Sequence, residues 1–277
     1  MTDTVGLVGV GAMGTALLSR LLLAGRRVQA YDVSQERTAK AAVAGAVAAV
    51  SPAAAAAGAQ CTHVFVRTDD EAVDAVLGSG GVLEGAEAGA LVLMHSTIMP
   101  DTTKRISAAA HNVTLIDAPV TAVPRVVAAG DGVFLLGGED EDVARARVQL
   151  EPLGKAIWHF GPVGAGNIAK IAKNFINAAE RVVLAETLNM VEAGGLDVTE
   201  FLEMAVAEDG GSTLSRWERA FEMIGNHAAP RPASNLMNKD VRLAVELADA
   251  QGVSAPVAHG AADTAAVWVA GWEATKS

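Results

Sequence analysis

Three glycines near the amino terminus have the spacing of a turn that holds phosphate groups. They stand in Gly9-Val10-Gly11-Ala12-Met13-Gly14, which follows Thr4–Val8, a short apolar run suited to a buried strand. In such a segment the first glycine permits a tight turn, the second lets the main chain approach the phosphates, and the third lets a helix lie close to the strand. The helix that starts near Ala12 then directs its amide N–H groups at the phosphates. The spacing therefore predicts a pyrophosphate site.

An acidic residue completes this pattern. Asp32 and Val33 follow the next apolar run, Val28–Tyr31. A carboxylate after the second strand can hold both hydroxyls of a ribose, and it repels a 2′-phosphate. We therefore expect the chain to bind a dinucleotide, with NAD favoured over NADP. Arg37, on the following predicted helix, could soften that preference, although an arginine there is more often a surface charge.

A second group of polar residues lies on one face of a predicted helix much further along the chain. Lys170 and Asn174 are four residues apart, with Asn177 one turn further on, and most of their neighbours are apolar. We expect them to line a cleft facing the nucleotide. There a partly desolvated lysine can exchange a proton with an oxygen while hydride moves to or from the attached carbon. Asn174 could hold the same oxygen or orient the amine. Taken alone, Lys170 would more often be a surface lysine whose stem lies on apolar neighbours, the interpretation we keep for Lys173.

The composition excludes several classes of partner. A formal net charge of −11, a pI near 5.0 and the lack of a basic stripe argue against nucleic acid. Cys61 is the only cysteine, so an intramolecular disulfide is ruled out and a reducing cytoplasm is expected. Glycines break the first apolar run, so the start of the chain is not expected to be a signal peptide.

The histidines give little indication of chemistry. Six are present, without metal-ligand spacing, and no metal site is expected: His63, His95, His111, His159, His227 and His259. His95 precedes Ser96 at a strand end and could face the cofactor, but a structural histidine with satisfied hydrogen bonds is the more common case.

One uncharged segment, Ala41–Gln60, is long enough to suggest a membrane span. It consists mostly of alanine, which is only weakly hydrophobic, and glycine, serine and proline interrupt it. We interpret it as a helix end, a short strand at Ala46–Ala49, and a helix begun by Ser51 as N-cap with Pro52 at its first position. No membrane partner is expected.

Strand and helix patterns alternate up to about residue 160. Further strands are predicted at Thr62–Val66, Ala90–Met94, Val113–Asp117, Val133–Leu136 and Ala156–Phe160. Helices are predicted at Asp70–Leu77, Pro100–His111 and Glu139–Leu150. This α/β alternation indicates a mainly parallel, doubly wound sheet of the Rossmann type, with ligands at the carboxyl ends of the strands. At 277 residues the chain exceeds the size at which a single core usually stops growing, and we assign residues 1–162 to this first domain.

After Gly161-Pro162-Val163-Gly164 only helical patterns follow. They cover Ala165–Ala193, Thr199–Ala207, Thr213–Ile224, Leu236–Gln251 and Ala255–Trp272. Residues 163–277 are therefore expected to form an all-α domain for substrate binding and oligomerisation, and its first helix would be about 45 Å long.

Something must pack along so long a helix. Its apolar positions are Ile168, Ile171, Phe175, Val182 and Leu188. We expect a neighbouring subunit of a homodimer or homotetramer to cover part of this stripe, the alternative being that other helices of the same chain cover it.

The chain resembles the β-hydroxyacid dehydrogenases, the group that contains 3-hydroxyisobutyrate dehydrogenase and tartronate semialdehyde reductase. The resemblance extends over nearly the whole chain and rests on five blocks: Gly6–Gly14, His95–Pro100, Asp117–Val120, Gly164–Asn174 and Lys239–Ala244.

This resemblance implies roles for individual residues. It implies Lys170 as the catalytic acid or base and Asn174 as a substrate contact. Thr97 would lie near the nicotinamide ribose, and Lys239 would close over the cofactor. Two further residues, Arg67 and Thr68, fall where the family's fourth-strand loop touches the cofactor.

The chain departs from the family pattern at the substrate loop. After Asp-Ala-Pro-Val the family has Ser-Gly-Gly, whose hydroxyl and backbone amides bind the substrate carboxylate, whereas this chain has Thr121-Ala122-Val123-Pro124-Arg125. Thr121 keeps a hydroxyl. The two glycines, which let the substrate carboxylate approach the backbone closely, are replaced by residues with side chains. Either the carboxylate is bound differently, with Arg125 as a bidentate partner, or the substrate is not a simple hydroxyacid. The alternative is that Arg125 is only a solvated surface charge.

We therefore predict an NAD-dependent oxidoreductase that interconverts a small β-hydroxyacid or related alcohol with its aldehyde or ketone. One alternative is an NADPH-dependent imine reductase. The altered substrate loop is compatible with an imine reductase, but imine reductases place aspartate or tyrosine where this chain has Lys170. The other is a non-catalytic dinucleotide sensor, against which the pair of Lys170 and Asn174 argues.

Overall fold

The computed structural model describes residues 4–209, 218, 221–225, 227–230, 234–252 and 256–274. The chain divides into two compact units, Met1–Lys170 and Ile171–Ser277. The domain boundary expected between residues 162 and 163 stays a prediction.

The first unit is built on a parallel sheet. Its strands are β1 (Thr4–Val8), β2 (Arg27–Tyr31), β3 (Val47–Ala48), β4 (Cys61–Val64), β5 (Leu91–Met94) and β6 (Thr114–Asp117). They pair in the order β3-β2-β1-β4-β5-β6, and every pairing is parallel. The chain moves outward from β1 to β3 and then returns to the other side of β1, which creates a switch point at the carboxyl edge. The predicted doubly wound sheet is confirmed.

Helices connect these strands. They are α1 (Ala12–Leu23), α2 (Gln35–Val43), α3 (Pro52–Ala56), α4 (Asp69–Leu77), α5 (Val82–Gly85) and α6 (Pro100–Ala109). Three of them begin with a hydroxyl that accepts a backbone N–H, the N-caps being Ser34, Ser51 and Thr68. The alanine-rich segment is divided among α2, β3 and α3, as predicted. Within the described part of the chain, no helix has the length and apolar character needed to cross a bilayer.

Alternating side chains of the strands face two separate apolar layers. Leu91 and Leu93 belong to the layer that contains Leu17 and Leu21 of α1. Val92 and Met94 belong to the other. Because successive strand residues point to opposite faces, helices cover both sides of the sheet and leave its carboxyl edge for binding.

A smaller sheet follows the end of β6. It contains β7 (Val120–Thr121), β8 (Val133–Leu136) and β9 (Ala156–His159), with α7 (Pro124–Ala128) and α8 (Asp140–Leu150) between them. β8 pairs antiparallel with β7 and parallel with β9. An isolated bridge between Asp117 and Gly137 links the end of β6 to the end of β8. β7 was not predicted, because two residues are too few for a periodic pattern.

The long helix α9 (Ala165–Ala193) has the predicted bounds. The second unit also contains α10 (Val198–Asp209), β10 (Phe221–Ile224), β11 (His227–Pro230), α11 (Ser234–Gln251) and α12 (Pro256–Ala274). The prediction of a helix over Thr213–Ile224 is wrong at its end, where β10 pairs antiparallel with β11. Residues 213–217, 219 and 220 of that prediction lie outside the described residues. Pairing with a neighbouring strand overrode the local apolar pattern.

The predicted apolar stripe of α9 is largely covered within the chain. Leu188 packs with Val198 and Leu202. Val182 packs with Val241, and Ile171 is also buried. For these positions, cover by other helices of the same chain is the correct alternative.

A buried carboxylate holds the start of α9. Asp117, at the end of β6, accepts hydrogen bonds from the Gly164 N–H at 2.7 Å and the Asn167 N–H at 2.7 Å. The Asn167 side chain in turn donates to the Thr103 hydroxyl at 2.9 Å. The first N–H groups of a helix lack partners within the helix, and a negative charge is favoured there. Asp117 thus fixes where α9 begins.

We predict that this carboxylate makes stability depend on pH. Burial raises the pKa of Asp117 from 3.8 to about 6, outweighing the lowering effect of its N–H donors. The stability that the protonated carboxyl supplies is therefore complete below pH 3.8 and is lost as the pH rises through about 6. Relative to Asp117→Asn, the free energy of unfolding should fall by up to about 3 kcal/mol between pH 4 and 7. Urea denaturation at several pH values measures it.

The matched control is Asp131→Asn, which changes an exposed aspartate in the same unit. Its stability difference from the unmodified protein should stay constant over the same pH range. A constant difference for Asp117→Asn as well would contradict the predicted pH dependence.

Candidate active site

The glycine turn lies between β1 and α1 at the switch point of the sheet. Gly9 has a φ of 89°, and a Cβ there would overlap the carbonyl oxygen of Phe65. A Cβ on Gly14 would overlap the carbonyl oxygen of Gly9. Both positions therefore require glycine, the first for its backbone conformation and the second for close packing of helix and strand.

The turn fits a pyrophosphate. Around Gly11 the structure places no described atom within 4 Å of a Cβ, so the backbone is open on that side. Gly11 is the N-cap of α1 and has no side-chain capping hydrogen bond. The first turn of α1, which contains Ala12 and Met13, therefore presents its amide end to the open side, as an anion site requires.

Asp32 is joined to this turn directly. One carboxylate oxygen accepts the Val10 N–H at 2.8 Å, and the other accepts the Ser34 N–H at 2.9 Å. The carboxylate is buried, and Arg37 approaches it to 3.7 Å. Asp32 is thus a structural acceptor for the turn as well as a candidate ribose ligand. Val33, beside it, is exposed.

The loops after β4 and β5 are tied together at the same edge. The Ser96 hydroxyl accepts the Val66 N–H at 2.8 Å, and Asp69 accepts the Met99 N–H at 3.0 Å. Thr97 lies between these contacts and is partly exposed. The carboxyl edge therefore brings together the glycine turn and the two loops predicted to touch the cofactor.

The two predicted cofactor residues of the β4 loop have local partners. Arg67 is exposed and pairs with Glu71, the guanidinium nitrogen lying 2.8 Å from the carboxylate. The Thr68 hydroxyl accepts the Glu71 N–H at 3.1 Å as the N-cap of α4. Both therefore have structural roles.

Lys170 is buried and has a defined acceptor. Its Nζ donates to the carbonyl oxygen of Val120 at 2.8 Å. Val120 immediately precedes the substrate loop, in which Thr121 and Ala122 are partly buried and Arg125 is exposed. The fold therefore places the amine that is predicted to move the proton at the start of the loop that is predicted to bind substrate. A surface position for Lys170 is excluded.

Asn174 follows Lys170 by one turn of α9 and belongs to the second unit. Its side-chain amide donates to Asp240 at 3.1 Å, which orients the amide group. Lys239, the residue before Asp240, lies in α11 and is partly buried. Asn174 and Lys239, the two predicted site residues of this unit, therefore both adjoin Asp240.

Three structural residues were not assigned roles from the sequence: Asp117, Asn167 and Ser96. Each makes its contacts to segments 30 to 69 residues away. All three residues do lie within blocks that resemble the family. The sequence shows that they belong to these blocks, but their hydrogen-bond partners depend on the tertiary fold.

Comparison with known proteins gives matches along both halves of the chain. Residues 4–161 match the family model described as the NAD binding domain of 6-phosphogluconate dehydrogenase. Residues 164–276 match the family model described as NAD-binding of NADP-dependent 3-hydroxyisobutyrate dehydrogenase. Both descriptions name dinucleotide binding.

Three relatives show the extent of the similarity. A 3-hydroxyisobutyrate dehydrogenase of Pseudomonas aeruginosa is 34% identical over 272 residues, which is 94% of this chain and 89% of that protein. An NAD-dependent L-serine dehydrogenase of the same organism is 32% identical, covering 91% and 88%. The structure of a Mycobacterium tuberculosis 3-hydroxyisobutyrate dehydrogenase with L-serine has a TM-score of 0.84 and 29% identity, covering 98% and 94%.

Matches of this length and identity confirm what the five sequence blocks indicated. The chain belongs to the β-hydroxyacid dehydrogenase family and is an NAD(P)-dependent dehydrogenase that acts on CH–OH groups, with NAD as its cofactor.

Proposed function

We propose that the enzyme interconverts a small β-hydroxyacid, or a closely related alcohol, with the corresponding aldehyde or ketone, and that Lys170 moves the proton. The observation that carries this proposal is the burial of Lys170 with its Nζ 2.8 Å from the Val120 carbonyl oxygen, at the start of the substrate loop. Relatives named for L-serine and 3-hydroxyisobutyrate support a small hydroxylated carboxylate as substrate.

The protein's part in the reaction is positioning and proton transfer. NAD, when bound, supplies the acceptor for the hydride. In the oxidative direction the neutral amine of Lys170 takes the hydroxyl proton as the carbon loses hydride. In the reverse direction the ammonium returns that proton to the carbonyl oxygen. The Val120 carbonyl oxygen accepts one hydrogen bond from Lys170 Nζ. The other positions on that nitrogen therefore point away from the carbonyl.

Asn174 serves as a substrate contact in this proposal. Asp240 accepts one N–H of its amide, and this fixes the rotation of the amide group. An amide of fixed orientation can present either its second N–H or its oxygen to the substrate without losing further side-chain freedom.

The changed substrate loop determines how the carboxylate is bound. The family pattern uses backbone N–H groups of two glycines, which Ala122 and Val123 replace here. The Arg125 guanidinium, exposed on α7, supplies a bidentate partner in their place, and the Thr121 hydroxyl supplies another contact. An enzyme with this loop would favour substrates whose carboxylate lies further from the backbone.

The alternatives differ in what they require of Lys170. An imine reductase is compatible with the changed loop, but a lysine at this position does not follow that group's pattern. A sensor without catalysis has no use for a buried amine with a defined acceptor. Both are tested by the same measurements as the main proposal.

The remaining exposed apolar residues of α9 support an oligomer. Ile176 and Val183 are 57% and 58% exposed, although other apolar residues of the same helix, such as Val182 and Leu184, are buried. We propose that a second copy covers them in a homodimer or homotetramer. The cytoplasmic location stays a prediction.

The first test is Lys170→Met, which keeps the length of the side chain and removes the amine. We expect kcat to fall by about 10²–10⁴, the range for loss of a general acid or base, with cofactor binding unchanged. The assay uses NAD and NADP with a panel of small hydroxyacids, diols and amines, and cofactor binding is measured by fluorescence titration.

Lys173→Met is the matched control, since Lys173 is exposed on the same helix. It should retain full activity. Full activity in Lys170→Met, or oxidation of an amine that Lys170→Met leaves unchanged, would contradict the proposed mechanism. Tight cofactor binding without turnover of any substrate would favour the sensor.

The second test concerns the cofactor. Asp32→Asn keeps an oxygen that can accept the Val10 N–H but removes the charge that repels a 2′-phosphate. We expect the ratio of kcat/KM for NAD to that for NADP to fall about tenfold, equivalent to about 1.4 kcal/mol. Arg37 should assist NADP binding once the carboxylate charge is gone. An unchanged ratio would show that Asp32 acts only on the turn.

The third test concerns the substrate anion. Arg125→Gln should raise KM for a hydroxyacid about tenfold and leave KM for an uncharged alcohol of the same size unchanged, because only the first offers a carboxylate. Arg105→Gln, at another exposed arginine of the first unit, is the control. An equal change for both substrates would remove Arg125 from carboxylate recognition.

A further inference from the structure

Two histidines form a buried pair inside the first unit. His63 lies on β4 and His95 follows β5, and both are almost fully buried. His63 Nδ1 lies 2.9 Å from His95 Nε2, and the two rings are nearly parallel, with an interplanar angle of 8°. His95 Nδ1 lies 2.7 Å from the carbonyl oxygen of Ala118. None of these contacts has a place in the proposed reaction.

The chain of contacts permits one arrangement of protons. A carbonyl oxygen only accepts, so His95 must carry its proton on Nδ1, and its Nε2 is then an acceptor. His63 must therefore donate from its own Nδ1, which leaves His63 Nε2 as an acceptor facing the Cys61 thiol at 3.9 Å. Burial lowers the pKa of His95 to about 4 and that of His63 well below its usual value. Both rings are neutral near pH 7.

The carbonyl that His95 holds belongs to the segment that leads to the lysine. Four successive carbonyl oxygens along Asp117–Val120 each accept one hydrogen bond. The donors are Gly137 N–H, His95 Nδ1–H, Leu135 N–H and Lys170 Nζ, in that order. Only the contacts of His95 and Lys170 come from side chains. His95 therefore holds this segment two residues before Val120.

His95 also contacts the other half of the site. The Phe65 ring stacks on it, with ring centroids 4.6 Å apart. Phe65 is the residue whose carbonyl oxygen faces Gly9 so closely that a Cβ there would overlap it. The His95 ring thus contacts Phe65, which packs against the glycine turn, and the Ala118 carbonyl, which lies in the segment that holds Lys170. Rigid packing of this kind is what a precisely held reactive group requires.

We propose that His95, oriented by His63, is a positioning residue for proton transfer: it fixes the Ala118 carbonyl and thereby the Val120 carbonyl that holds Lys170 Nζ. This inference rests on the proposed role of Lys170. His95 itself exchanges no proton in the reaction.

The first experiment does not depend on activity. Long-range 15N–1H NMR of the 15N-histidine-labelled enzyme reports the protonation of each ring nitrogen, and single Asn variants assign His63 and His95. We expect both as neutral Nδ1–H tautomers that do not titrate between about pH 5.5 and 9. A proton on Nε2 of either ring, or titration of either ring within that range, would overturn the proposal.

The second experiment uses a pair of substitutions at one position. His95→Phe keeps a planar ring but cannot donate to Ala118, whereas His95→Asn places an amide N–H near the former Nδ1. We expect His95→Phe to lower kcat at least about tenfold and to move the midpoint of the kcat–pH profile by about half a unit. KM for NAD should stay within about twofold, and His95→Asn should recover most of kcat.

His111→Phe is the control, because His111 is exposed and has no contact with this cluster in the described structure. It should match the unmodified enzyme. A loss in His95→Phe that appears in KM for NAD, that leaves the pH profile in place, or that His95→Asn does not recover would indicate a structural role only and would overturn the proposal.

Lys170→Met, measured in parallel, separates the two hypotheses. If it retains activity, the proposed function fails, and the positioning role fails with it, whatever the histidine spectra show. If it loses activity while His95→Phe keeps the normal kcat and pH profile, only the positioning role fails.

Discussion

The hydrogen bonds between the Asp117 carboxylate and the first turn of α9 are the constraint on which the site depends. Asp117 ends β6, and the segment after it contains the carbonyl that receives Lys170 Nζ. The same carboxylate accepts the Gly164 N–H and so sets where α9 begins, and Lys170 lies six residues after Gly164. Donor and acceptor of the lysine contact are therefore both placed from one residue. Burying a carboxylate is costly, and its N–H donors offset only part of that cost.

Asp32 has a comparable double role on the cofactor side. Its position after β2 makes it a candidate ribose ligand, yet both of its oxygens already accept backbone N–H groups. Each carboxylate oxygen has more than one acceptor direction, so the two roles are compatible. The carboxylate holds the glycine turn and keeps acceptor positions for the ribose that we propose it binds. A substitution at this position must keep an acceptor if the two effects are to be separated.

The agreement between sequence and structure differs from element to element for physical reasons. The bounds of α9 were predicted to the residue because apolar periodicity over many turns is a strong signal. The strand at Phe221–Ile224 was missed because four residues show little periodicity and its partner strand decided its conformation. Arg67 and Thr68 were placed on the correct loop, but their bonds to Glu71 could not be read from a family pattern.

By itself the sequence determined the properties that depend on neighbouring residues: the glycine turn, the N-cap at Ser51, the alternation of strands and helices, and the family. Only the tertiary structure decided which groups meet across long separations. It brought His63 to His95, Asp117 to Asn167, and Lys170 to Val120, pairs that are 32, 50 and 50 residues apart. Local pattern predicts an element because side-chain direction repeats along a helix or a strand, whereas these contacts exist only once strands and helix have packed. The chemistry of the lysine was suggested by its type and spacing, and its burial and acceptor were supplied by the fold.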